Sequence, residues 1–299
     1  MERWDFCCSI LDYSDESNVF QAPVTIEPGL EINISPTWYR ALYQAQGSRA
    51  FDNQDLRESG LAVVGHYDST SSDPLEPKLA DQQREIDDKV LLIPFAFWCA
   101  KATSFCGGRI VHHHLNSDGL PSTRIVRGAQ LVPLPNEIGT TFTPEDVSKA
   151  VALFKSIAGL SADGTLRSAV RIVHKALTER MWDVRFALHW VALEALYGVT
   201  DKGELRFRLS THIALYLGVD EGEKKALARN AKDLYDLRSK IVHGLKYSGI
   251  SKEEAMSRCG EVEALVRRSL GKILHSQPDR ERFDSTRREE VFNDLLFRG

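Results

Sequence analysis

The chain has no apolar stretch long enough to cross a bilayer. Its longest, Val90 to Ala100, is interrupted by Pro94 and falls well short of the roughly 20 residues a spanning helix needs. Cysteine is sparse: Cys7, Cys8, Cys99, Cys106 and Cys259 make five in 299 residues. An odd number without C-x2-C spacing speaks against a disulfide framework or a zinc ribbon. Met1-Glu2-Arg3-Trp4-Asp5 carries no signal-peptide pattern, so the expectation is a cytoplasmic protein with free thiols and no membrane partner. Neither G-x4-G-K-[ST] nor G-x-G-x-x-G occurs, and Gly107-Gly108 is too short to cradle a phosphate. A P-loop or dinucleotide fold is thereby excluded, and no cofactor is expected.

What the chain does have is divided unevenly. Its length suggests two domains, and its 42% hydrophobic content can fill buried cores. The net charge of −4 hides an asymmetry: residues 1–140 hold 11 Lys+Arg against 19 Asp+Glu, or −8, and residues 141–299 hold 27 against 23, or +4. A mildly basic second half is compatible with nucleic acid without being a dedicated cationic binder. The acidic first half is poorly suited to gripping phosphate backbones.

The first half reads as β-rich. Val24-Thr25-Ile26 and Glu31-Ile32-Asn33-Ile34 alternate around Glu27-Pro28-Gly29, and Leu61 to Tyr67 reads as a strand. Ser35 to Tyr43 opens a short helix, and Asp68 to Pro77 is a polar surface loop. Val90-Leu91-Leu92-Ile93 and Phe95-Ala96-Phe97-Trp98 read as a buried strand pair, or one strand bulged at Pro94; these aromatics suit a core better than a base-stacking platform. Arg109 to Leu115 and Thr123 to Arg127 alternate on either side of the hairpin turn Asn116-Ser117-Asp118-Gly119. Leu131 to Pro135 reads as a linker. The expected fold class is therefore α+β in two domains: a β-rich sensor or regulatory domain at 1–135 with an unknown trigger, then an all-α bundle at 140–299.

The helical half opens at Thr143-Pro144-Glu145-Asp146: N-cap, proline at N1, acids in the first turn. Helices follow at about 163–180, 182–198, 203–217, 221–243 and 251–275, and the short connections favour antiparallel neighbours. Thr286-Arg287-Arg288-Glu289 has a capping-box pattern ahead of Val291, Phe292, Leu295 and Leu296, apolar residues that need a partner and find it by folding back on the bundle or, as the less favoured alternative, by docking another protein. The stretch that carries chemistry is Lys232 to Gly244. Leu234, Leu237, Ile241 and Val242 form one apolar stripe, and Gly244 stands where a left-handed C-cap is easiest for glycine. His243 thus falls in the last turn, where the helix dipole favours the imidazolium form. Arg238 is about one and a half turns upstream and roughly 140° round the axis. The two side chains converge on one phosphate only if the arginine curls round, or if a second copy of the helix completes the site.

Arg238-x4-His243-Gly244, preceded by Leu234-Tyr235-Asp236-Leu237, resembles the R-x4-6-H motif of HEPN domains, particularly the Apea-like HEPN group. Ala192 to Tyr197 and Arg206-Phe207-Arg208-Leu209 resemble that group's other recurring segments, so the likeness covers roughly residues 145–275. It implies an all-helical bundle that homodimerises and, in many members, metal-independent endoribonuclease activity with an antiphage or toxin role. Arg238 and His243 would then be catalytic, with RNA as partner. Other members only bind RNA or nucleotide, or scaffold a complex. The commoner catalytic members place Asn, Asp or His after the arginine, where this chain has Ser239.

Several residues are assigned supporting roles. Glu194 lies in an otherwise apolar run, Trp190 to Tyr197, where a carboxylate is costly unless paired; it is either an exposed charge or a partner for Arg238, Arg206 or Arg208. Arg206 and Arg208 diverge by about 200° on a helix, so at least one faces solvent. Lys240 and Lys246 flank the motif; they either add attraction for phosphate or, as exposed lysines more often are, are simply solvated charges. His112-His113-His114 suggests metal, but only His112 and His114 share a strand face and no compact partner set is nearby; no metal is expected. His66, His174, His189, His212 and His275 are scattered and read as structural.

Overall fold

Residues 2–11 form the middle of a sheet. Trp4, Phe6, Cys8 and Ile10 alternate with Cys7 and Ser9, and all six are buried, as a strand covered on both faces requires. This strand, β1 (Glu2–Leu11), had no clear signature in the sequence; it pairs antiparallel with β4 (Leu61–Ser69) and β5 (Cys106–Leu115). With β2 (Val24–Glu27), β3 (Leu30–Ile34) and β6 (Pro121–Val126) the order is β2-β3-β4-β1-β5-β6. In this computed structural model the described residues are 1–11, 20, 22–39, 41, 61–71, 73, 76–126, 131–134, 141–198, 204–244, 250–285 and 288–297. The chain divides into two compact units, Met1–Phe154 and Lys155–Gly299.

One reading of the first unit is overturned. Val90 to Trp98 is neither a strand pair nor a bulged strand but the second half of α1 (Pro77–Ala100), with Pro94 inside the helix. Leu79, Gln83, Asp87, Val90 and Pro94 are buried along it, a helical stripe whose period shows only when residues 77–89 are included. An interior proline costs about 3 kcal/mol; burial of Ile93, Phe95, Phe97 and Trp98, each contributing about 1.5–3 kcal/mol on transfer from water, offsets it. Phe97 stacks on Phe105 at 4.5 Å and meets Phe142 edge-on at 5.0 Å. The close approach of β1 and β4 needs glycine at 65, where a Cβ would stand 2.5 Å from the Phe6 ring and 2.1 Å from the Gly29 carbonyl oxygen. Leu131 and Leu134, in the stretch read as a linker, are buried. Trp38 and Tyr39 are helical as expected; most of residues 40–60 lies outside the described residues.

The helical reading holds element by element: α2 (Pro144–Ala158), α3 (Thr165–Leu177), α4 (Trp182–Tyr197), α5 (Leu205–Leu217), α6 (Glu221–Val242) and α7 (Lys252–His275). The capping box at the head of α2 forms, Asp146 N–H donating to Thr143 Oγ1 at 3.2 Å and Thr143 N–H to the Asp146 carboxylate at 2.9 Å. In the second unit α4 is the element around which the rest packs, with Phe186, His189, Trp190, Leu193, Leu196 and Tyr197 all fully buried. Arg185, on α4, meets Glu263 of α7 at 2.5 Å, with the His189 ring 3.3 Å from the same oxygen. The C-terminal α8 (Gln277–Phe283) and α9 (Arg288–Phe297) fold back as expected: Phe292 stacks on His212 at 4.0 Å and Phe283 meets Tyr216 at 5.1 Å. Thr286 and Arg287 lie outside the described residues. No helix among the described residues is long and apolar enough to cross a membrane.

Candidate functional site

The carboxyl end of α6 emerges from the bundle. Leu227, Ala231 and Leu234 are its buried positions; Leu237 and Ile241 are half-buried and Val242 is exposed. The apolar stripe therefore fades over the last two turns. His243 is the C-cap, its N–H donating to the Ser239 carbonyl at 3.1 Å. Gly244 follows at φ +63, the left-handed conformation that favours glycine. The imidazole of His243 is exposed and makes no hydrogen bond or ion pair among the described residues.

Arg238 turns the other way, towards α4. Its Nη2 lies 2.9 Å from Glu194 Oε1 and 3.2 Å from Oε2, so one nitrogen spans both carboxylate oxygens. Nε has no partner among the described residues, and the guanidinium carbon lies 5.6 Å from the centre of the Tyr235 ring, which meets Trp190 edge-on at 5.3 Å. Burial raises the Glu194 pKa, with Arg238 opposing; burial and then Glu194 raise that of Tyr235. Glu194 is thus the internal partner of Arg238 rather than a solvated charge.

The remaining candidates divide. Arg206 pairs with Asp236 of α6 at 2.9 Å, both well exposed. Arg208 is half-buried beside His212, Ser239 is half-buried and Lys240 is exposed; Lys246 lies outside the described residues. Within one chain Arg238 and His243 are not joined by a hydrogen bond or ion pair. The residue that sequence reasoning missed is Arg288, at the start of α9, whose Nη1 donates to the Ala195 carbonyl, one residue beyond Glu194. Burial lowers its guanidinium pKa, the neighbouring Glu289 opposing. Its sequence signal, one arginine of a capping-box pattern, does not distinguish it from any helix-start cation.

The histidine triplet has its own arrangement. His112 and His114 share a face as expected, His112 near Phe6 at 6.1 Å and His114 stacked on Trp4 at 5.2 Å, while His113 stacks on Trp38 at 4.8 Å. His112 Nε2 is 2.8 Å from Asp87 Oδ1, and Arg124 donates to Asp87 Oδ2 at 2.9 Å. The Tyr67 hydroxyl is 3.1 Å from His112 Nδ1 and accepts from Gln83 Nε2 at 2.9 Å. One chain of donors runs through this set, Gln83 to Tyr67 to His112, then His112 and Arg124 to Asp87, and leaves Gln83 Oε1 buried without a partner among the described residues. With His112 and Gln83 both at 0% exposure, the set meets no substrate. It is a polar lock between α1 and the sheet.

A chain with an antiparallel six-stranded sheet in one unit and, in the other, a helical array in which one helix end carries an anchored arginine and an exposed histidine is of α+β type. Comparison with protein-family models, with curated proteins and with solved structures finds no match.

Proposed function

We propose that the chain is a metal-independent endoribonuclease of HEPN type, cytoplasmic and homodimeric, with a role in prokaryotic antiphage defence or as a toxin. One observation carries the reading. Arg238 is anchored to Glu194 through a single nitrogen, Nη2, and it stands on the same helix end as an exposed imidazole that makes no hydrogen bond or ion pair among the described residues. A guanidinium held in place can receive a phosphoryl oxygen, and an exposed imidazole can serve as general acid or base.

The chemistry is transesterification. The RNA 2′-hydroxyl attacks the adjacent phosphorus as one His243 removes its proton. Arg238 stabilises charge on the phosphorane, and the departing 5′-oxygen takes a proton from the second histidine. The products are a 2′,3′-cyclic phosphate and a free 5′-hydroxyl. The nucleophile is internal and already positioned, so no metal need generate it. Because Arg238 and His243 diverge within one chain, two copies of α6 about a two-fold would supply the second histidine.

The test is incubation of the full chain with structured and unstructured RNA in the presence of a chelator, with His243→Ala alongside. Loss of a single proton-transfer group is expected to slow cleavage by about 10²–10⁴-fold, and the parent's products to end in cyclic phosphate. Equal cleavage by both proteins removes His243 from the mechanism. Ser239, following the arginine, favours a second reading: a HEPN-like module that binds RNA or nucleotide, or scaffolds a complex, without cleaving. Tight RNA binding without cleavage, unchanged in His243→Ala, would select it.

A further inference from the structure

The two edges of the six-stranded sheet end differently. β2 is four residues long, its register against β3 shifts between Thr25 and Glu27, and Glu27 pairs with Lys89 at 2.8 Å. Shortness, irregular register and an edge charge are features that keep a strand from taking on another. At the opposite edge β6 is six residues long and pairs with β5 without a break from Pro121 to Val126. Its one charged side chain, Arg124, reaches Asp87 at 2.9 Å and is balanced there. Its one proline stands at the first position, where it does not interrupt pairing further along.

In an antiparallel ladder successive residues turn their backbone groups alternately towards and away from the partner strand. The β5–β6 turn sets the phase. Asn116 N–H donates to the Leu120 carbonyl at 3.0 Å, so the neighbouring Leu115–Pro121 pair is a non-hydrogen-bonded one, as are His113–Thr123 and Val111–Ile125. Thr123 and Ile125 therefore turn N–H and C=O outward, and Pro121 its C=O. None of the three has a backbone partner on that side among the described residues. Their side chains share one face with Leu115, where Leu115 is 58% exposed and Ile125 38%.

This open edge is complementary to itself. In an antiparallel pairing of two copies about a two-fold through Thr123, each Ile125 lands opposite Pro121 of the other copy and beside its Leu115. The exposed apolar side chains at the two ends of the edge thus cover one another, twice over. The same register lets the two Thr123 residues exchange N–H···O=C bonds and gives each Ile125 N–H a Pro121 carbonyl. Arg124 falls opposite Ser122 of the copy rather than its own equivalent, so no like charges meet. We propose that the β6 edge is a self-association surface whose partner is a second copy of this chain, the two sheets joining edge to edge. The contact is isologous, as a two-fold one must be, and it does not depend on the α6 pairing or on the nuclease reading.

The experiment uses the full chain and two readouts. Thr123→Cys places two thiols across the two-fold with Cα atoms about 5.5 Å apart, within the span a disulfide bridges. Cys7, Cys8, Cys99 and Cys259 are buried. Mild oxidation is expected to link Thr123→Cys into dimers, and to do so far less in Glu85→Cys, an exposed position on α1, or when Ile125→Lys puts a charge on the edge. Hydrogen exchange of β6 peptides in the parent should slow by about tenfold once nine-tenths of the copies are paired at high protein concentration, and should not slow in Ile125→Lys. Cross-linking of Thr123→Cys no better than of Glu85→Cys overturns the proposal, and so does β6 exchange independent of concentration. Should the cysteine variant fail to fold, exchange in the parent decides. Dimerisation through α6 alone would leave β6 exchange unchanged, so the two contacts are told apart.

Discussion

Replacing Asp87 with alanine should loosen the first unit by about 3 kcal/mol, and the figure can be built from its neighbours. Asp87 accepts from His112 Nε2 at 2.8 Å and from Arg124 Nη1 at 2.9 Å. The His112 side chain is 0% exposed, so its N–H, once orphaned, cannot turn to water, a cost of about 1–3 kcal/mol. The Arg124 side chain is 26% exposed and recovers part of its hydration, so losing its partner adds about 1 kcal/mol. A total near 3 kcal/mol corresponds to roughly 150-fold faster exchange of the amides that open with the unit. Hydrogen exchange read by mass spectrometry on peptides from α1 and β5 isolates this unit, which a whole-chain melting curve does not. Asp87→Asn keeps an acceptor oxygen and should cost about 1–2 kcal/mol. If Asp87→Ala exchanges no faster than Glu85→Gln, an exposed change on the same helix, the network is not what fixes α1 to the sheet.

Two further predictions concern the second unit. Burial works to raise the Glu263 pKa, but His189 and Arg185 outweigh it and hold the carboxyl below the usual range; its contribution is therefore complete above an unfolded pKa of about 4.3 and is lost as pH falls through the lower folded value. Urea midpoints from pH 7 to 3 should drop more steeply in the parent than in Glu263→Gln, and identical profiles would refute this. Burial, reinforced by Glu263, pushes the Cys259 thiol up to about 12, so it should resist alkylation at pH 8 in the folded chain and react in urea. Labelling of the native chain at the denatured rate would contradict it.

The two halves differ in legibility because their elements carry different amounts of local information. Helices α2, α3, α6 and α7 carry their own 3.6-residue period, and α4 and α5, apolar on more than one face, are still bounded by Gly198 and Gly218, so each can be read without its neighbours. β1 cannot: it is buried on both faces, and an unbroken run such as Asp5-Phe6-Cys7-Cys8-Ser9-Ile10 lacks the polar alternation that marks a half-exposed strand. The second half of α1 was mistaken for strand because Pro94 and a dense apolar run mask its period; Gln83 and Asp87 in its buried stripe held the clue, since polar residues at core positions call for partners. Glu194 was readable as an anomaly on the same logic, although which arginine it meets required coordinates. Arg288 was not readable at all, because its significance lies in contact with a carbonyl 93 residues earlier in the chain.

The histidines in the two units show why residue type alone is a poor guide to chemistry. His112 has the more suggestive surroundings: a carboxylate, a phenol and an arginine within hydrogen-bonding range. Yet both of its ring nitrogens are committed, one to Asp87 and one to Tyr67, and the ring itself is fully buried. His243 has no such partners among the described residues, and on the proposed reading that is what qualifies it. An imidazole at a helix end, open to water and set off from the buried stripe, can receive a substrate's hydroxyl without first breaking a structural bond. Among the arginines, Arg206 is balanced by Asp236 and Arg238 by Glu194; what separates Arg238 is its place on the same helix as the exposed imidazole. On the proposed nuclease reading, in a unit whose surplus positive charge is small, attraction for RNA would rest on a few placed groups rather than on the number of basic residues. Its salt dependence should accordingly be that of a few phosphate contacts, well below the steep dependence of a cationic surface.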